Sequence, residues 1–181
     1  MDSLNEEKKF YERFWSLLND KDLMKVFEKY GPMAFRRSSV LEGFEKFIKE
    51  TGFRGKTCVE IGTLKGLTAI VLSRYFDKVI TIDIIEDRLK YDIAELLNVK
   101  NIEYKVVKNN KEKADLINSL EFDGAYVDGD HAHDTMDDFY LVMRTKKVLF
   151  HEFWDAQPSV KKLVNSLGNV KSSGKLALWT A

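Results

Sequence analysis

Two hydrophobic periods alternate along most of the chain. From residue 57 onward, short runs of consecutive apolar residues are separated by longer stretches whose apolar positions recur every three or four residues, the pattern of strands buried on both faces with helices between them. Residues 57–60, 78–82, 122–127 and 148–150 read as buried strands. Ile102, Tyr104 and Val106 alternate with Glu103 and Lys105, as in a half-exposed edge strand. The helical stretches are the apolar run after Thr68 up to Phe76, residues 88–98 and 111–120, and a helix marked by Met136, Phe139, Tyr140 and Met143 with Asp134 as its N-cap. Pro158 opens a last helix at its favoured first position; Val160, Leu163, Val164 and Leu167 form its stripe and Gly168 follows its end. Val170, the Ser172-Ser173-Gly174 turn and residues 176–179 read as a hairpin. Five strand-helix units and a closing hairpin predict an α/β fold. Its doubly wound sheet has seven strands, mostly parallel, with the last antiparallel.

Ahead of this rhythm the chain is helical. Phe10, Tyr11, Phe14, Trp15 and Leu18 form one stripe; Leu23, Met24, Val26, Phe27 and Tyr30 form a second after Asn19-Asp20; Gly31-Pro32 ends it. Packing against the domain is the reading that aromatic stripes favour, with a homodimer surface or a cover over a substrate as alternatives. Ser39-Val40-Leu41-Glu42 has the form of a capping box, and Leu41, Phe44, Phe47 and Ile48 predict a helix ending near Thr51-Gly52. We therefore divide the chain into an N-terminal helical extension, residues 1–37, and a main domain, residues 38–181.

Composition narrows the function classes. A length of 181 residues suits one domain with a real core, and 29 basic against 29 acidic residues give no electrostatic footprint for nucleic acid. The lysines within residues 108–113 read as a solvated loop, and Arg36 and Arg37 as surface residues near a site mouth. Cys58, the single cysteine, falls inside the first strand as a small apolar residue, so no intrachain disulfide forms and a reducing compartment fits. The charged N-terminus does not read as a signal peptide, and no apolar stretch approaches the ~20 residues that cross a bilayer. The expectation is a cytoplasmic protein without a membrane partner.

Candidate chemistry gathers where strands end. Residues 57–60 carry Glu60 to the C-terminal edge of the first strand and lead into Ile61-Gly62-Thr63-Leu64-Lys65-Gly66 and then a helix, so Gly62 would let the backbone turn and the helix N–H groups would face a ligand. Asp83 ends the next strand about twenty residues on, where a carboxylate accepts hydrogen bonds from ribose hydroxyls. Residues 59–66, Asp83 and Val127-Asp128-Gly129-Asp130-His131 together resemble the signature of class I S-adenosylmethionine-dependent methyltransferases. The nearest branch is the small O-methyltransferases of the catechol, caffeoyl-CoA and antibiotic-sugar type, whose Rossmann-like seven-stranded fold agrees with the strand count. The resemblance covers roughly residues 55–180.

It implies S-adenosylmethionine as cofactor. Gly62 and Gly66 would make room for its methionine part, Glu60 and Thr63 would belong to the binding turn, Thr68 would lie near its carboxylate, and Asp83 would bind the ribose. Asn109 or Asn110 would stand at the adenine position, where the family often has an acidic or small polar residue. In the metal-dependent branch the acid ending the fourth strand, here Asp128, binds a divalent cation such as Mg2+, and the residue three positions on, here His131, takes the acceptor proton. A histidine titrating near neutrality suits that role. Glu152 would be a further metal ligand; Phe153 stands where the family has a second ligating residue and cannot ligate, so Asp155, Asp130 or waters would complete the site, and His151 or His133 lack the spacing that marks zinc. The reaction implied is methyl transfer to an oxygen, less readily a nitrogen, of a small-molecule acceptor. Two rivals stay open: a non-catalytic binding module on the same fold, and a nicotinamide-dependent oxidoreductase. The second is disfavoured because Leu64 stands where a dinucleotide turn needs its second glycine.

Overall fold

The computed structural model describes residues 20–35, 38, 40, 43–129, 135–152 and 158–181. Helix α1, Lys21–Tyr30, begins where the Asp20 carboxylate accepts the N–H groups of Asp22 and Leu23 at 3.1 Å, and ends at Gly31. A 3₁₀ turn, Pro32–Phe35, and helix α2, Phe44–Thr51, follow. Then come β1 (Gly55–Ile61), α3 (Leu67–Leu72), β2 (Phe76–Asp83), α4 (Leu89–Leu96), β3 (Ile102–Val106), α5 (Asn110–Ser119) and β4 (Gly124–Val127). The chain closes with α6 (Thr135–Val142), β5 (Lys147–Phe150), α7 (Pro158–Ser166), β6 (Val170–Ser173) and β7 (Leu176–Thr180).

The seven strands form one sheet in the order β3-β2-β1-β4-β5-β7-β6. β1, β2, β3, β4 and β5 pair in parallel, whereas β7 is antiparallel to both β5 and β6. The chain winds outward from β1 to β3, then restarts at β4 on the other side of β1. Their C-terminal ends therefore splay around a crevice, where ligands bind in open parallel sheets.

Because successive side chains on a strand point to opposite faces, each strand feeds two cores. Cys58, Val79, Tyr126 and Leu149 pack with α1, α2, α3 and α4 residues on one face. Val59, Ile61, Ile80, Ile82, Val127 and Phe150 pack with residues of α5, α6 and α7 on the other. Leu23 and Val26 from the second N-terminal stripe, and Phe35 from the 3₁₀ turn, belong to the first of these cores.

Several boundaries differ from those predicted, each for a tertiary reason. The fourth strand starts at Gly124 because Asp123 turns its carboxylate onto the N–H groups of Lys56 and Thr57, at 2.9 and 2.8 Å. The second starts at Phe76, whose ring is buried edge-on against Phe53. Helix α2 begins only after Gly43, which is left-handed and gives no side-chain cap; Ser39, Leu41 and Glu42 of the expected capping box lie outside the described residues. So do the first aromatic stripe, Arg36, Arg37 and Asp134. Among the described residues no helix is long and apolar enough to cross a membrane.

Candidate functional site

Alternation brings the polar residues of the strand ends onto one face in two rows. The lower row lies within the sheet: Tyr104 pairs with Thr81, Thr81 with Glu60, and Glu60 with Tyr126, across β3, β2, β1 and β4. The upper row is the rim. Asp83 ends β2; the N–H of Gly62 bonds the Ile82 carbonyl, that of Asp128 the Ile61 carbonyl, and that of His151 the Val127 carbonyl, at 2.9, 2.9 and 3.1 Å. Asp83, Gly62, Asp128 and His151 thus succeed one another along the crevice.

Glu60 is one rung lower than the rim position expected of it. It is fully buried, and neither carboxyl oxygen completes a hydrogen bond among the described residues. Burial pushes its pKa up to about 8; the nearby Thr68 and Thr81 hydroxyls pull it down without reaching full hydrogen-bond geometry, while the charges of Asp128 and Asp83 add to the rise. Tyr104 is likewise raised, first by burial and then by the charges of Glu60 and Tyr91.

Asp83 organises the turn. One oxygen accepts the N–H groups of Thr63 and Leu64, both at 2.8 Å, and the other accepts that of Ile85 at 2.9 Å. A carboxylate has about four acceptor sites, so this leaves capacity for a further donor. The Thr63 hydroxyl meets that of Thr81 at 2.5 Å, and the Lys65 ammonium bonds the Met33 carbonyl. Leu64 takes a left-handed conformation, φ 45°, uncommon for a branched side chain and a mark of strain.

The glycines serve the protein's own packing. A Cβ on Gly62, at φ 95°, would lie 2.2 Å from the Asp128 carbonyl oxygen; one on Gly66 would lie 3.0 Å from the Lys90 Cβ and 3.3 Å from the Tyr104 hydroxyl. Glycine at these positions lets the turn approach the tip of β4 and the packed β3 and α4 closely. Thr68 is buried on α3 behind the turn. Asn109 sits at the expected edge with its side-chain oxygen already accepting the Glu112 N–H at 2.9 Å, and Glu112 reciprocates to the Lys108 N–H at 2.8 Å.

At the far end of the rim, Asp128 accepts the Tyr126 hydroxyl on one oxygen and meets His151 Nδ1 on the other, both at 2.7 Å. Glu152, in a left-handed conformation at φ 60°, lies 3.8 Å from the same ring nitrogen and 3.6 Å from the Lys175 ammonium; its second oxygen is buried without a partner among the described residues. Asp128 and Glu152, two of the expected metal ligands, both lie against this imidazole, and among the described residues no group of three or more His, Cys, Asp or Glu is gathered to hold an ion. Asp130, His131 and Asp155 lie outside the described residues.

Sequence reading had missed some of this. Tyr126 lies on β4 and Asp128 directly past its end, two positions on, so a shared side was there to be read. Ile84, Ile85 and Val106, large apolar side chains exposed beside Asp83, interrupt the polar rim and were equally readable. The Lys90 and Tyr104 contacts with Gly66 depend on helix packing, which no local pattern shows.

No protein-family model and no curated protein sequence matches the chain. Solved structures do. The chain is similar to the O-methyltransferase TomG from Streptomyces achromogenes, involved in tomaymycin synthesis and solved with SAM, at TM-score 0.62 and 19% identity over 93% of this chain and 94% of that one. An O-methyltransferase from Bacillus cereus in complex with SAH superposes at TM-score 0.58 and 15% identity, covering 76% and 79%. An rRNA methylase from Streptococcus thermophilus gives 0.57 and 13%, covering 75% and 92%. The chain has the Rossmann-like fold of these methyltransferases, a fold on which the acceptor varies.

Proposed function

We propose that the protein transfers a methyl group from S-adenosylmethionine to an oxygen of a small-molecule acceptor. The observation that carries this reading is Asp83: a rim carboxylate fixed by three backbone N–H groups of the adjoining turns, with acceptor capacity left and exposed apolar side chains on either side. The residues present fit an adenosyl group. Asp83 would accept from the ribose hydroxyls, and Ile84, Ile85 and Val106 would offer an apolar surface to the adenine ring. The buried oxygens of Glu60 stand below the turn that would hold the methionine part.

The sulfonium supplies an electrophilic methyl carbon and a neutral leaving group. The protein is left with two tasks, alignment of the acceptor and removal of its proton. The N–H bonds to Asp83 hold the turn, and the carbonyl of Asp128 backs it through Gly62, so the cofactor half of the crevice is fixed before a ligand enters. Titration of the purified protein with S-adenosylhomocysteine tests the reading. Binding weakened roughly tenfold or more by Asp83→Ala is expected; no affinity in the unaltered protein, or affinity indifferent to the substitution, refutes it.

A further inference from the structure

Glu60 stands beneath the turn assigned to the cofactor, fully buried, with neither carboxyl oxygen hydrogen-bonded among the described residues. The titratable groups around it are Cys58 on β1, Asp83 on β2, Tyr104 on β3, Tyr126 on β4 and Asp128 past its end. Lys90 of α4 pairs with Glu86 at 3.1 Å and is set over the Tyr91 and Tyr104 rings. The other helices bring the Thr68 hydroxyl from α3 and, against Tyr126, the Phe44 ring from α2. Burial, with the charges of Asp128 and Asp83, therefore keeps a proton on the ligand-free carboxyl at neutral pH, its pKa raised to about 8. Two hydroxyls lead from it toward the rim. Thr81 pairs with Glu60 across β2 and β1, and its hydroxyl meets that of Thr63, in the turn itself, at 2.5 Å.

Resting on the methyl-transfer reading above, we infer that Glu60 couples cofactor binding to proton release: its carboxyl gives up a proton as the cofactor's positive charge settles over the turn. S-adenosylmethionine brings an ammonium and a sulfonium, S-adenosylhomocysteine the ammonium alone. In the water-poor interior such a charge is little screened, so it stabilises the carboxylate through space without touching it. The carboxyl O–H bond breaks, its electron pair stays on oxygen, the proton passes to solvent, and the cofactor keeps its charge. The coupling is reciprocal. Cofactor affinity rises as pH climbs toward about 8, above which the empty site is already ionised. Methyl transfer removes the sulfonium charge, so the product complex takes the proton back more readily than the substrate complex.

Calorimetric titration with S-adenosylhomocysteine in buffers of different ionisation enthalpy counts the protons. At pH ~7 most of one proton per ligand should be released, and affinity should rise roughly tenfold between pH ~6 and ~8. Glu60→Gln should not release that proton and should bind with a flatter pH dependence; comparing the two proteins cancels any proton drawn from the ligand or from other groups. Infrared difference spectra of the unaltered protein decide without a variant. At neutral pH the carbonyl stretch of a protonated carboxyl should disappear when ligand is added. Wild-type protein that does not bind S-adenosylhomocysteine would defeat the methyl-transfer reading itself. With binding intact, three results overturn the proton coupling alone: no proton released, the same release in Glu60→Gln, or a protonated-carboxyl band that persists in the complex.

Discussion

Gly62 and Glu60 show how two residues of one short motif are constrained for different reasons. At Gly62 any side chain meets the backbone of Asp128 at 2.2 Å, in a conformation at φ 95° that side chains avoid. Gly62→Ala should therefore destabilise the fold by about 3 kcal/mol or more, read as a lower urea midpoint, because backbone on both sides must move. Glu60 instead carries a pH signature. Its pKa is raised from 4.5 to about 8 in the folded protein. A carboxyl that holds its proton in the fold but sheds it when unfolded contributes stability that is complete below about pH 4.5 and is lost as pH climbs through about 8. Glu60→Gln removes that dependence, so the variant should gain melting temperature relative to the parent at pH ~8.5 compared with pH ~5. Parallel melting curves for the two proteins would contradict it. The bonds from Thr63 and Leu64 to Asp83 and between His151 and Asp128 were less legible, since hydrogen bonds spanning twenty or so positions leave no local pattern.

At the scale of elements, the short α3 carries the connection to the N-terminal helices. Just past it, Arg74 reaches Asp20 at 2.6 Å and Glu45 at 3.4 Å, and the Tyr75 hydroxyl donates to Glu45 at 2.7 Å, so α1 and α2 are both tied to its C-terminal turn. Burial opposes the Asp20 charge, but the Arg74 hydrogen bond and the α1 N–H groups outweigh it and keep its pKa below the usual value. Replacing Asp20 by Ala should cost about 1–2 kcal/mol in chemical denaturation, as for a lost N-cap, and Asp20→Asn less because the amide oxygen still caps. Equal losses would assign the effect to the ion pair. The elements themselves were largely readable. Pro158 does open α7 and Gly174 does turn the hairpin at φ 58°, because these residues constrain their own backbone. Boundaries set by distant partners, such as Asp123 on β1 and Phe76 on Phe53, were not.

For the whole molecule, a mostly parallel sheet with an antiparallel last strand follows from the alternation of two hydrophobic periods and the closing hairpin, and it is observed, while the order of the strands was not to be read from that pattern. Such a sheet gives a ligand that spans the rim purchase on several strands at once. S-adenosylhomocysteine at a hundred times its dissociation constant should then add about 2.7 kcal/mol to unfolding. For a chain of this length that is a rise of roughly 5–10 °C in melting temperature. A melting curve that does not move with added ligand would speak against binding to the native state.

The contact between Gly62 and the Asp128 carbonyl has a practical corollary for protein engineering. The loop after β1 and the tip of β4 are mated like two halves of a dovetail joint, so neither is a transplantable module. Anyone exchanging residues 60–66 with the equivalent stretch of another protein would have to carry residues 126–129 across in the same cut.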